Sequence, residues 1–156
     1  MKLLLDTHTF LWFVGGSNRL NSHARELIED DDNDRYLSVA SLWEMAIKVS
    51  IEKLDVPLPF TRLVRQHVTG NAIEVLQVEL EHLDAQRKMP FHHRDPLDRL
   101  IIAQAITEEK TVVGRDDAFE KYAGPPRLEA AVKRRYNPLL LPTIRRGVRR
   151  LNSCVM

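Results

Sequence analysis

Three short apolar runs, each handing over to a helical pattern, constrain this chain more than any other feature of it. KLLLD at 2–6 ends in an acid and continues as THTFLWFV, where apolar residues recur at helix-compatible spacing. RYLSV leads into SLWEMAIKVSIEKL, which predicts a strand from Tyr36 to Val39 and a long amphipathic helix from Ser41 to about Leu54. TVVG at 111–114 is the third run, and RDDAFEKY after it reads as the start of another short helix. Runs this short and this apolar suit strands buried on both faces, as in a parallel sheet.

Between these runs the pattern stays alternating. GGSN at 15–18 is a turn, and RLNSHARELIEDDDND predicts a helix from about Asn21 to Asp31. After the break at VPLP, FTRLVRQHVTG suits a helix ending at Gly70. IEVLQV is a short strand candidate, VELEHLDAQRK a helix, MPFHH a loop, and PLDRLIIAQAITEEK a further helix. Strands alternating with helices predict a three-layer α/β/α fold around a mainly parallel sheet, with the functional groove at the carboxyl ends of the strands.

Length and composition set the outer limits. With 156 residues, 44% of them hydrophobic, the chain fills one core, expected over 1–123, with 124–156 as a basic, Pro-containing C-terminal extension. The formal net charge of +1 conceals a division: 124–156 holds 8 Lys and Arg against 1 Glu, leaving 15 basic against 21 acidic residues in 1–123. The basic tail is expected to be mobile or packed on the body, with contact to RNA phosphate as the competing reading. A single cysteine, Cys154, excludes an internal disulfide and a thiolate metal site. No apolar run approaches the roughly 20 residues of a membrane helix, and MKLLLD is too brief for a signal peptide, so a cytoplasmic location is expected.

Four acids fall where such a fold places its groove. Asp6 follows the first strand directly; Asp116 follows VVG after one residue; Glu44 lies one turn into the helix leaving the second strand; Asp98 lies in the first turn of the helix preceding TVVG. Each has a plainer explanation: Asp6 and Asp116 as helix caps, Glu44 as a solvated helix residue, Asp98 as a carboxylate at the positive end of a helix dipole. In DPLD the capping role falls to Asp95, with Pro96 at the first helical position. Asp98 is followed three and four residues on by Ile101 and Ile102, so it heads the apolar side of its helix. Carboxylates gathered in one groove repel one another, and a divalent cation with oxygen ligands, Mg²⁺ or Mn²⁺, removes the conflict and supports phosphodiester hydrolysis.

LLLDTHTFLW, SVASLWEMAIK, HRDPLDRLIIAQA and TVVGRDDAF resemble, in order and spacing, the four acidic motifs of the PIN domain, in its VapC-type toxin branch. The resemblance covers about residues 1–122. It implies a metal-dependent endoribonuclease, a homodimer, paired with a small antitoxin that obstructs its active site. On this resemblance Asp6, Glu44, Asp98 and Asp116 are the metal-binding and catalytic acids. Thr7, Asp95, Arg99, Arg115 and Asp117 are candidates for supporting or substrate contacts. Two departures stand out: Gly114 occupies a position where many relatives have Thr or Ser, and the tail runs on beyond the last motif.

Other signals carry less. His92 and His93 lack further ligands at zinc spacing, and DDDND at 30–34 lacks the glycine and glutamate of a calcium loop. Trp12, Phe13, Trp43 and Phe60 suit core or dimer contacts. Two rivals to the nuclease reading remain: a catalytically silent PIN-like module that binds RNA or a partner, and an aspartate-based phosphotransfer enzyme, disfavoured because Asp6 is followed by Thr7 and His8 rather than D-x-D.

Overall fold

A computed structural model describes residues 1–92, 94–114 and the strand 128–130. Five parallel strands form one sheet: β1 (Lys2–Leu5), β2 (Asp34–Ser38), β3 (Ile73–Leu76), β4 (Thr111–Gly114) and β5 (Leu128–Ala130), in the order β3-β2-β1-β4-β5. The helices are α1 (Thr7–Val14), α2 (Ser22–Glu29), α3 (Val39–Ser50), α4 (Phe60–Val68), α5 (Leu80–Lys88) and α6 (Pro96–Thr107). The three-layer α/β/α architecture expected from the alternation is the one found.

The leucine run builds the centre of the sheet. Leu3, Leu4 and Leu5 are fully buried because β1 has a neighbour on each side and helices on both faces. Alternation sends Leu3 and Leu5 to one face, where they pack with Leu37 and Val113 of the sheet and with residues of α1 to α4. Leu4 and Val112 point to the other face, against Ile101, Ile102 and Ala105 of α6. One sheet thus separates two apolar clusters.

Capping chemistry sets where helices begin. Asn21 accepts from the Ala24 N–H at 2.7 Å and starts α2. Asp95 accepts from the Leu97 N–H at 2.8 Å, with Pro96 next, as the sequence predicts. The α3 expectation needs correction: the helix spans Val39–Ser50 rather than Ser41 to Leu54, because the Ser38 hydroxyl accepts from the Ala40 N–H at 3.0 Å and ends the strand there. At the far end, the Lys53 and Leu54 N–H groups both turn back to the Lys48 carbonyl, at 2.8 and 3.0 Å, around Glu52 at φ 56°. The helix expected to end at Gly70 stops at Val68 and closes with a 3₁₀ turn, Thr69–Asn71.

Two further points bear on organisation. β5 takes Leu128–Ala130 from the stretch set apart as an extension and pairs it with β4, Val112 facing Leu128. The short helix expected at RDDAFEKY lies outside the described residues, as do Arg115, Asp116, Asp117 and the arginines beyond β5.

Candidate active site

The register fixes one edge of the sheet. Leu5 pairs with Leu37 on one side and Val113 on the other, so Asp6, Ser38 and Gly114, each the next residue, stand in one row at the carboxyl ends of three adjacent strands. The chain passes from β1 to β2 on one side, while β4 lies on the other. The crevice between β1 and β4 is therefore the topological switch point, where open α/β sheets bind ligands. The Asp6 N–H donates to the Val113 carbonyl at 3.0 Å and ties that crevice together.

Asp6 occupies the N-cap position of α1 without acting as its cap. Its backbone carbonyl accepts from the Phe10 N–H at 2.9 Å, but its side chain makes no capping bond. The carboxylate is nevertheless 6% exposed, with His8 Nδ1 at 3.7 Å from Oδ2. Helix capping thus fails to explain Asp6. His8, itself packed against the Trp12 ring at 5.9 Å between centroids, is a neighbour that sequence reasoning used only to argue against a phosphotransferase.

Glu44 and Asp98 come from two helices that pack against each other, α3 and α6; α3 also packs on α1. Glu44 is half-buried and pairs with Lys48 Nζ at 2.5 Å, one turn along α3. Lys48 had no role in the sequence reading, although its i,i+4 spacing from Glu44 is the signal that finds it. Asp98 is half-buried in the first turn of α6, above the buried Ile101 and Ile102. Asp95, by contrast, is exposed and caps the helix.

Arg99, a candidate for a supporting or substrate contact, is 5% exposed: the guanidinium donates to the carbonyls of Pro90 at 2.7 Å, Gln86 at 3.0 Å and Met89 at 3.3 Å, and lies 4.3 Å from the centre of the Phe91 ring. It fastens the end of α5 to the start of α6.

The donor set is all oxygen, which suits a hard divalent cation. Two buried hydroxyls lie close to these acids in sequence. Thr7 Oγ1, beside Asp6, and Ser41 Oγ, one turn before Glu44, have no hydrogen-bond partner although both residues are fully buried. Orphaned buried hydroxyls call for water, an ion or a ligand. Among the described residues, however, no three His, Cys, Asp or Glu side chains stand close enough together to hold an ion. Asp116, the fourth acid, lies outside them.

The site therefore defines an α/β protein with a buried aspartate, Asp6, at the switch point of a parallel sheet. Residues 3–125 match the PIN domain, and the chain belongs to the PIN domain family, whose members are generally nucleases. Among solved structures it is similar to VapBC2 from Rickettsia felis bound to a DNA fragment from their promoter, at 18% identity and a TM-score of 0.60, covering 84% of this chain and 99% of that one. No curated protein matches it.

Proposed function

We propose that the chain is a Mg²⁺- or Mn²⁺-dependent endoribonuclease of VapC type, the toxin of a toxin–antitoxin pair. The observation that carries this reading is Asp6: a buried carboxylate at the switch point, in a capping position, that does not cap. A carboxylate buried there without a capping bond has a use other than helix initiation.

In this reading Asp6, Glu44, Asp98 and Asp116 hold the metal. When bound, the ion supplies an activated water and charge neutralisation on the scissile phosphate. The chain's own residues do the rest. β1 and β4 fix the Asp6 backbone through the Val113 bond, the packed helices α3 and α6 carry Glu44 and Asp98, and the unpartnered Thr7 and Ser41 hydroxyls would bind water or a ligand. Lys48 pairs with Glu44, and a divalent cation held by Glu44 would take that contact's place.

Partner assignments follow the same reading. The likeness to a VapBC2 complex supports a small antitoxin as partner. Trp43 and Ile47 on α3 and Ile51 at its C-cap, spaced four residues apart and 62, 41 and 51% exposed, form an apolar row that supports protein contact, including a homodimer. No described helix is long and apolar enough to cross a membrane, and a cytoplasmic location is part of the same proposal. The basic residues of 124–156 are proposed to meet RNA phosphate.

The Lys48 contact on Glu44 favours a second reading, a PIN-like module that binds RNA or a partner without cutting. Antitoxin-free protein incubated with a pool of structured RNAs, with Mn²⁺ or chelator and beside Asp98→Asn, separates the two. Cleavage that needs metal and is lost in Asp98→Asn is the expected result. RNA binding without metal-dependent cleavage would establish the silent module.

A further inference from the structure

α6 is buried along most of its length, and Leu100, Ile101, Ile102, Ala103 and Ala105 all shed water there. Gln104 sits among them, fully buried, where an apolar residue of similar volume would pack without any polar atom to satisfy. Its amide is used at both ends. Nε2 donates to the Gln77 carbonyl at 2.9 Å, and Oε1 lies 2.6 Å from the hydroxyl of Ser38, which is equally buried.

Every proton in this chain of bonds has one place. The Gln77 carbonyl can only accept, so Nε2 faces it and Oε1 faces Ser38. The Ser38 hydroxyl must then donate to Oε1, and its lone pair takes the Ala40 N–H at 3.0 Å. The relay runs from the first turn of α3 through Ser38 and Gln104 to the loop after β3, and it joins residues 66 positions apart. Ser38 ends β2 and caps α3; Gln104 belongs to α6.

The relay also joins the two helices that carry Glu44 and Asp98, two of the proposed ligands. Glu44 is six residues beyond Ser38 on α3, and Asp98 is six residues before Gln104 on α6. Each carboxylate therefore stands about 9 Å along its own helix from the Ser38–Gln104 bond. Because α3 and α6 touch, a slip of one helix against the other changes the separation of the two acids directly. A short bond with a fixed donor and a fixed acceptor resists that slip, whereas an apolar contact permits sliding.

We propose that the buried Ser38–Gln104–Gln77 relay is a positioning device that locks α3 against α6 and sets the spacing of Glu44 and Asp98. The proposal rests on the reading of those acids as metal ligands. Ser38 and Gln104 touch neither metal nor substrate; they act through the helices.

Three variants test this: Ser38→Ala and Gln104→Met, which break the relay, and Ser38→Thr, which keeps the hydroxyl. Leu63→Ala, a core truncation on α4, serves as a destabilised control. Mn²⁺ affinity is measured by calorimetry, and amide hydrogen exchange follows α3 and the first turn of α6 without metal. Ser38→Ala and Gln104→Met are expected to weaken Mn²⁺ binding by about 10- to 100-fold with all acids intact. Ser38→Thr is expected to restore it, the double variant to be no worse than the weaker single, and Leu63→Ala to bind like wild type. In Ser38→Ala, exchange should rise on α6, the helix that does not carry the substitution. Wild-type affinity in both relay variants, with binding lost in Asp98→Asn, overturns the relay and leaves the nuclease reading standing. Absence of Mn²⁺ binding in wild type removes the nuclease reading instead; the relay's locking role is then decided by exchange alone, and unchanged protection on α6 in Ser38→Ala overturns it.

Discussion

Lys48 holds its ammonium 2.5 Å from a carboxylate oxygen of Glu44, one turn back along α3. The pair is half-buried, with 22 and 16% of the two side chains exposed, so the ammonium competes with any cation that approaches Glu44.

Replacing Lys48 with Met removes the competitor and keeps the aliphatic stem. An i,i+4 pair contributes about 0.3–1 kcal/mol, so Lys48→Met should bind Mn²⁺ about two- to fivefold more tightly at low salt. Calorimetric titration reads this directly. Weaker binding in the variant would instead make Lys48 a support that orients Glu44.

The two aspartates of DPLD should separate cleanly. Asp95→Ala deletes the bond to the Leu97 N–H and should cost about 1 kcal/mol in urea denaturation with Mn²⁺ affinity unchanged. Asp98→Asn should keep stability within about 0.5 kcal/mol and lose metal affinity. An Asp95 variant that folds well and fails to bind metal would move that residue into the site.

Arg99 should behave as a strut. Arg99→Met leaves the carbonyls of Gln86, Met89 and Pro90 without their buried donor, which should cost about 2–4 kcal/mol. Arg99→Lys should recover little, because a single ammonium does not reproduce the planar fork. Were Arg99 a phosphate contact, the variants would melt like wild type and differ in RNA affinity alone.

At the opposite edge of the sheet, the bond from the fully buried His82 holds the Glu108 carboxyl below the usual glutamate range; burial opposes this and Lys110 adds to the lowering. A carboxyl whose pKa is depressed on folding stabilises the protein above its unfolded pKa, about 4.3, and loses that contribution as pH falls through the folded value. Glu108→Gln should therefore melt below wild type at pH 7, with the difference shrinking below about pH 4. A gap independent of pH would assign the loss to packing.

The strands were legible because they are short and apolar. Leu3–Leu5 and Val112–Val113 have no other plausible place than a doubly covered sheet, and Asp95-Pro96 announced the start of α6. The errors fell where one side chain does two jobs. Ser38 belongs to a strand by pattern, yet its hydroxyl caps α3, so the helix starts two residues early. Arg99 stands beside a candidate ligand in sequence, and its long side chain reaches the end of α5, a contact that adjacency does not announce. Gln104 carried a signal that went unused: a single amide inside LIIAQAI is a polar group in a buried stretch, and such a group needs partners. Those partners, Ser38 and Gln77, come from elsewhere in the chain, which no local pattern discloses.

The hydrogen bond from Asp6 to Val113 also has a meaning in time. Asp6 is made long before Val113, which emerges only after α6 has been synthesised, and β4 is the strand that pairs with this side of β1. Parallel pairing over such a distance forms late, because the loop entropy must be met before the contacts return anything. The crevice at Asp6 is consequently absent from any nascent chain still lacking β4, and a ribosome making this protein carries an unfinished crevice until that strand arrives.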